Sequence, residues 1–223
     1  MDWSPILISM RTAGLSIVFT FFMGILAAWM VVRISHPLIK TILDGIFTIP
    51  LVLPPTVAGF FLLYVFGVKR PVGQFFLEYF SVKIAFSWGA TVLAAVVMSF
   101  PLMYRSARGA FEQVDDTLVQ AARTLGMGEW TIFRKVLLSN AVPGVVSGGV
   151  LAFARGLGEF GATAMIAGNI AGKTRTLPMA VYSEAAAGNM EAAYSYVAII
   201  VVIAFLSVFL MNGAMWYSQK KSR

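Results

Sequence analysis

Charge, cysteine and histidine are scarce in this sequence. Only 12% of its 223 residues are Asp, Glu, Lys or Arg, which is about half the share found in soluble domains. It contains no cysteine, and this excludes disulfides, thiolate metal ligands and cysteine nucleophiles and leaves the redox compartment open. Its single histidine, His36, precedes Pro37 at the end of an apolar run, where a solvated side chain is expected. We therefore predict no catalytic residue and no metal site in this chain.

A nucleotide-binding loop is also missing. The segment 168–174 reads GNIAGKT, but three residues separate Gly168 from Gly172 and Ala167 stands where the first glycine belongs. A P-loop requires four intervening residues and lies between a strand and a helix of a soluble domain. We predict that this segment binds no nucleotide, that the chain is not an enzyme and that it binds no cofactor of its own.

Charge is missing in long blocks rather than evenly. Uncharged runs occupy residues 12–32, 45–68, 84–104, 136–154 and 192–219. A helix needs about 20 residues to cross the roughly 30 Å of bilayer hydrocarbon. The N-terminus carries Asp2 rather than a basic cluster, so the first run is not expected to be a cleaved signal. We predict an all-α integral membrane protein with five transmembrane helices, at about residues 11–32, 42–67, 84–105, 141–166 and 195–217.

The distribution of lysine and arginine predicts the orientation, because basic residues favour the cytoplasmic side. With the N-terminus outside, ten of the 17 basic residues fall in the cytoplasm, six fall outside and Arg155 lies within the membrane. The ten include the C-terminal Lys220, Lys221 and Arg223. We predict N-out, C-in topology and interpret the net charge of +7 as a topological signal, with no role in nucleic-acid binding.

The second span contains a proline cluster. Pro50, Pro54 and Pro55 interrupt the stretch TIPLVLPPTVAG, and proline removes a backbone hydrogen bond that lipid cannot replace. Two interpretations remain: a kinked helix that packs against its neighbours, or a broken helix that lines a transport pathway. Pro54 and Pro55 are candidate pathway residues.

The fourth span is rich in glycine and carries the charged residues at membrane depth. Small residues let helix backbones approach closely, so a central position in the bundle is expected. Arg155 and Glu159 are one helical turn apart and form either a structural ion pair or a gate that guides an anion. The outer segment 167–194 follows, with a predicted surface or partly inserted helix. Its Lys173 and Arg175 could attract an anion, dock a partner or simply be solvated.

The longest polar segment, about residues 105–140, lies between spans three and four. Asp115 or Asp116 can cap a helix there, and Gly126 suits its C-terminus. Apolar residues recur at helical spacing, giving one narrow stripe of Leu118, Ala121, Ala122 and Leu125. A second short piece with Trp130 follows. The segment is either an amphipathic loop on the membrane surface or a docking element for a cytoplasmic partner.

The same segment carries a family resemblance. It is similar to the coupling loop of binding-protein-dependent ABC importer permeases, whose pattern is Glu-Ala-Ala, three residues, Gly, nine residues and Ile-x-Leu-Pro. Gln replaces the Glu, Val the Ile and Ser the Pro, while the spacing is kept. The matching positions are Gln120, Ala121, Ala122, Gly126, Val136, Leu138 and Ser139.

The resemblance extends over nearly the whole chain. IPLVLPPTVAG, VMSFPLMYRSARGAFEQVD, LAFARGLGEFGAT and GKTRTLPMAVY resemble segments of molybdate-transport permeases. Sulfate and thiosulfate permeases have a similar FARGLGEFGA and GNIAGKT arrangement, and TRTLPMAVY favours molybdate.

This resemblance implies a type I ABC importer permease: a single domain over 1–223, with a core of about 8–217 and a coupling loop of about 112–140. It further implies a bacterial inner membrane location, a second copy of this chain, two cytoplasmic ATPase subunits that hold ATP and Mg²⁺, and an outer oxyanion-binding protein. The implied ATPase-coupling residues are Asp116, Leu118, Gln120, Ala121, Ala122, Leu125, Gly126 and Trp130.

Other functions remain open at this level. A sulfate or thiosulfate permease is the nearest alternative. An ion-coupled secondary transporter would have to use Glu159, the one acid at membrane depth, and no internal repeat is visible. A membrane-anchored scaffold would give no reason for spans so rich in glycine and proline.

Overall fold

The computed structural model describes residues 2–221, and its regular structure is helical. A π-helical turn at Phe133–Leu137, which we call the π-turn, joins the helix that ends at Ile132 to the helix that begins at Leu138. The helices are α1 Ser4–Val32, α2 Pro37–Val52, α3 Pro55–Phe66, α4 Pro71–Phe80, α5 Trp88–Glu112, α6 Asp116–Thr124, α7 Glu129–Ile132, α8 Leu138–Leu157, α9 Gly161–Ile166, α10 Leu177–Ala186 and α11 Met190–Lys221.

Four helical stretches are long and apolar enough to cross a membrane: Ser4–Val32, Trp88–Glu112, Glu129–Leu157 and Met190–Leu210. Helices α2 and α3 also qualify as a pair, bent by 110° where they meet, so that a fifth crossing results if the pair counts as one span. The predicted all-α membrane protein is therefore confirmed. The basic anchor expected at Lys220, Lys221 and Arg223 lies outside the residues whose side chains are described.

Helices α1 and α5 run parallel and are joined by buried hydroxyl groups. Thr12 Oγ1 lies 3.0 Å from Thr91 Oγ1, and Thr20 Oγ1 lies 3.1 Å from Ser99 Oγ. Both pairs are 79 residues apart in sequence, and a constant offset requires two helices that run in the same direction. Polar pairs of this kind hold helices together in a membrane, where lipid offers no alternative partner.

The glycines of α8 let it pack closely on α5, as the sequence predicts. A Cβ on Gly144 would lie 2.6 Å from Ala110 Cβ, and one on Gly148 would lie 2.5 Å from Ser106 Cβ. The higher-numbered glycine of α8 thus faces the lower-numbered residue of α5, so α8 runs antiparallel to α5. At the far end of α8, Gly156 faces Ser16 of α1. Helix α8 thus lies against both α1 and α5.

The second span is broken rather than kinked, which is one of the two interpretations that the sequence leaves open, because Pro54 and Pro55 end α2 at Val52 and start α3. Two predictions about the fourth span require correction. The predicted span 141–166 is broken between Leu157 and Gly161. Its helix also begins earlier, because the π-turn makes α7 continuous with α8. The outer loop after α3 contains α4, an aromatic-rich helix that the sequence analysis missed.

Candidate functional site

The broken helices meet each other at their breaks. Gly161 starts α9 directly against Pro55 at the start of α3, where an added Cβ would lie 2.8 Å from Pro55 Cβ. One turn along, a Cβ on Gly59 would lie 2.6 Å from the Ala162 Cα. The backbones of α3 and α9 are therefore in direct contact. We call this contact, with Pro54, Arg155 and Glu159, the helix-break region.

The Arg155–Glu159 pair lies in the helix-break region. Arg155 Nη1 is 2.7 Å from Glu159 Oε2, and the two side chains are 27% and 1% exposed. No N–H in the described chain is aligned for a hydrogen bond to that oxygen, so this contact is a charge pair. The other carboxylate oxygen, Oε1, accepts a hydrogen bond of 2.7 Å from the Ala162 N–H. Glu159 therefore neutralises Arg155 at the end of α8 and caps the start of α9 at once.

Neighbouring residues place this pair near the middle of the bundle. Gly156 contacts Ser16 and faces Ser99, and Ser99 is close to the centre of α5. The sequence predicts Pro54, Pro55, Arg155 and Glu159 as pathway or gate residues. The structure places Pro55 against Gly161, two residues after Glu159. The burial of Glu159 supports a structural ion pair, while the Arg155 side chain is partly exposed.

The cytoplasmic helix α6 has the caps that its sequence predicts. Asp115, rather than Asp116, is the N-cap, and its Oδ1 accepts a hydrogen bond of 2.9 Å from the Thr117 N–H. That backbone hydrogen bond lowers the pKa of the Asp115 carboxyl, so the cap is ionised at neutral pH. Gly126 ends the segment with φ +75°, a conformation that glycine adopts without steric cost.

The predicted apolar stripe of α6 is divided between two faces. Ala122 is buried at 5% exposure, while Leu118 is 48% exposed and Leu125 is 81% exposed. Ala121 points outward with the leucines. Ala122 therefore does not share the exposed face of the other three residues, and its role in coupling stays a prediction.

The remaining predicted coupling residues of this segment are exposed to solvent. Asp116, Gln120 and Gly126 are exposed, and Trp130 is 56% exposed. We call the set of Leu118, Ala121, Leu125 and Trp130 the coupling surface. Large apolar groups that project into water from a short helix are typical of a helix-in-groove contact.

An ionic joint, which sequence reasoning missed, attaches this segment to α1. Glu129 Oε1 lies 2.9 Å from Arg123 Nε, and Glu129 Oε2 lies 3.4 Å from Arg33 Nη2. The Arg33 guanidinium also lies over the Trp29 ring, 4.8 Å from its centroid. Trp29 in turn contacts Phe133 of the π-turn, with centroids 4.7 Å apart. Since the partners are far apart in sequence, no local signal indicates this joint.

A second ionic network attaches α2 to α5. Glu112 Oε1 forms ion pairs with Lys40 Nζ and with Arg108 Nε, and each nitrogen is 3.0 Å from that oxygen. Arg108 also pairs with Asp44, and the Tyr104 hydroxyl donates to Asp44 Oδ1 at 3.0 Å. No residue of α2 is fully buried, so these polar contacts, with the packing of aromatic rings, hold it in place.

The segment 168–174, GNIAGKT, which resembles a phosphate-binding loop without matching its spacing, is a closed turn. The Ile170 carbonyl accepts hydrogen bonds from the N–H groups of Lys173, Thr174 and Arg175. The Thr174 hydroxyl is buried and donates to the Gly168 carbonyl at 3.0 Å. A P-loop presents its N–H groups to phosphate, whereas here they bind the loop itself. Arg175 Nε binds Asn169 Oδ1 at 2.9 Å.

Comparisons with known proteins agree with this architecture. A family described as "Binding-protein-dependent transport system inner membrane component" matches residues 20–223. The molybdenum transport system permease protein ModB of Escherichia coli K12 is 47% identical over 82% of this chain and 79% of its own length. The putative molybdenum transport system permease protein YvgM of Bacillus subtilis is 41% identical over 94% of this chain and 92% of its own.

More distant matches are informative too. The sulfate transport system permease protein CysT of Salmonella typhimurium is 33% identical over 92% of this chain and 73% of its own. An inward-facing structure of the MetNI methionine ABC transporter contains a chain that superposes with a TM-score of 0.74 and 18% identity. That superposition covers 96% of this chain and 94% of the other. At this identity the likeness establishes the fold alone.

Proposed function

Because this chain belongs to the family of binding-protein-dependent transport system inner membrane components, we propose that it is the permease subunit of an ATP-driven importer of molybdate. It is a multi-pass protein of the inner membrane. The observation that carries the substrate is the 47% identity to the molybdenum permease of Escherichia coli over 82% of the chain. The stretch TRTLPMAVY favours the same substrate, and tungstate shares the geometry and charge of molybdate.

We further propose five crossings of the type I permease fold, with the N-terminus outside and the C-terminus inside. The parallel arrangement of α1 and α5 supports this, since the chain must return across the membrane between Val32 and Trp88. Only the bent pair of α2 and α3 is available for that return. The excess of lysine and arginine near α6 supports a cytoplasmic position for the coupling surface.

Energy enters through a partner in this proposal. The chain forms a single permease domain and works as two copies with two cytoplasmic ATPase subunits, which bind ATP and Mg²⁺. An outer protein delivers the oxyanion. The closed turn at Gly168–Thr174, whose N–H groups bind its own carbonyl, supports the absence of nucleotide chemistry in this chain.

The contacts suggest how ATPase motion reaches the membrane. The coupling surface receives the displacement, and the Glu129 joint and the aromatic contact of Trp29 with Phe133 pass it to α1. Helix α7 is continuous with α8 through the π-turn, so α8 transmits the same motion to the helix-break region. Packed helices that move as rigid bodies can then switch between inward and outward openings.

A sulfate importer is the second candidate, and the 33% identity to the sulfate permease favours it. An ion-coupled secondary transporter is disfavoured because Glu159, its one candidate ion ligand, is bound to Arg155 and Ala162.

The test is copurification followed by uptake. The chain, expressed with its cognate ATPase and binding protein, should copurify with the ATPase and accumulate molybdate in proteoliposomes only with internal ATP. Uptake driven by an ion gradient without ATP would contradict the proposal, as would a permease that purifies without any ATPase.

A further inference from the structure

A polar cleft opens at the inner end of α5 and α8. Its volume is about 630 Å³. Ala110 faces Gly144 along its floor. The polar residues of its lining are Arg105, Ser106, Gln113, Asp115, Asn140 and Ser147.

Arg105 is the only one of the three α5 and α8 arginines without a partner among the described residues. Arg108, one turn further on, binds Asp44 and Glu112, and Arg155 binds Glu159. Asp44 and Glu112 also line a smaller cavity of about 210 Å³ beside Arg105. Both carboxylates are already committed to Arg108, which leaves the exposed Arg105 guanidinium free for a ligand.

Arg105 faces an open space at the cytoplasmic end of its span. It lies six residues, or about 9 Å at 1.5 Å per residue, from Ser99 near the centre of α5. The cleft that it lines is also lined by Asp115 and Leu118 of the α6 segment, so it opens toward the cytoplasm.

The side of α8 that lines the cleft continues toward the helix-break region. Gly148 lies opposite Ser106, so Arg105 is level with about residue 149 of α8. Arg155 is then about six residues, or roughly 9 Å, further along the helix. Asn140, Gly144 and Arg155 fall on one side of α8, because they are separated by four and eleven residues.

We infer that Arg105 and the polar cleft around it form the inner station of the oxyanion route, where cargo from the helix-break region rests before release. The Arg105 guanidinium, with the amide of Gln113 and the hydroxyl of Ser106 in the same lining, suits a tetrahedral dianion. The carboxylate of Asp115, ionised as the α6 cap, repels that dianion at the same mouth. The site is therefore weak, as release requires. This inference rests on the proposed function.

Labelling tests occupancy directly, because this chain contains no cysteine. Gln113→Cys is introduced into the full complex, with partners free of reactive cysteine, and modified by a neutral maleimide from the inner side. Tungstate at about four times its dissociation constant for the cleft should slow modification roughly fivefold, because the unoccupied fraction falls as 1/(1 + [L]/Kd), and chloride at equal ionic strength should not. Protection should vanish in the Arg105→Gln background. An unchanged rate with Arg105 present would overturn the inference.

Transport gives the second readout. Arg105→Gln should lower the molybdate moved per ATP hydrolysed by roughly fivefold, and Arg105→Lys should retain most of it. A parallel fall in uptake and hydrolysis would mean a structural role and would overturn the inference. If the unaltered complex moves no molybdate, the proposed function fails instead, and tungstate protection at Gln113→Cys still decides whether the cleft binds an oxyanion.

Discussion

At the scale of single residues, the helix-break region combines a buried ion pair with close backbone contacts. Glu159 satisfies two demands with one carboxylate, since it pairs with Arg155 and caps α9. A buried pair is weak evidence of net stabilisation, but the loss of one partner leaves an uncompensated charge.

Arg155→Gln alone should destabilise the assembled complex by about 3 kcal/mol or more, because Glu159 stays buried without its cation. Arg155→Gln combined with Glu159→Gln should be milder, since the glutamine oxygen can still accept the Ala162 N–H. Thermal unfolding and uptake of the purified complex check this. A double variant as unstable as the single one would argue against the structural pair, and a stable but inactive one would indicate a role in guiding the anion.

Gly59→Ala tests the contact between α3 and α9. The new Cβ would meet the Ala162 backbone at 2.6 Å, and overpacking of this kind costs about 1–3 kcal/mol. Gly14→Ala is the matched control, because nothing lies within 4 Å of its Cβ position. We expect a lower melting temperature and lower uptake for Gly59→Ala only. Equal behaviour of the two variants would contradict the close packing.

At the scale of elements, the sequence predicted where α6 begins and ends, but it did not predict which face of α6 is buried. Asp115 and Gly126 fixed its ends, as capping chemistry predicts. The spacing of Leu118, Ala122 and Leu125 could not reveal which edge of the stripe is covered, because that depends on the distant π-turn. Likewise, the Pro54–Pro55 pair located one helix break, whereas the break at Gly158–Phe160 lies where Gly161 packs against the distant Pro55.

Leu125→Asp should abolish binding of the ATPase while the permease still folds. Leu125 is 81% exposed, so a charge costs the permease little but opposes burial in a partner groove. Ala122→Glu should instead lower the melting temperature of the permease itself, since Ala122 is buried. Copurification and thermal unfolding separate the two. Retention of the ATPase by Leu125→Asp would place the docking surface elsewhere.

Glu129→Gln should weaken coupling without detaching the ATPase. The change removes the charge that holds Arg33 of α1 and Arg123 of α6 together, and the coupling surface stays intact. We expect roughly normal ATPase copurification with less molybdate moved per ATP, and Glu129→Asp should retain part of the coupling. Unaltered transport stoichiometry in Glu129→Gln would show that the joint transmits no motion.

At the scale of the whole molecule, the uncharged runs predicted a helical membrane protein because each is about long enough to cross lipid as a helix, which satisfies its own backbone hydrogen bonds. The number of crossings is a different matter. It depends on whether α2 and α3 count as one span, and the parallel pairing of Thr12 with Thr91 and Thr20 with Ser99 supports a return crossing. That pairing joins residues 79 positions apart, which no periodicity in the sequence reveals.

We propose that this chain couples a partner ATPase to the import of molybdate. Its most direct test is the rate of ATP hydrolysis by the complete complex in a lipid bilayer, with binding protein outside and one oxyanion at a time. We predict that molybdate and tungstate stimulate hydrolysis and that sulfate does not. Stimulation by sulfate alone, or a rate that no oxyanion changes, would contradict the coupling of this chain to molybdate import.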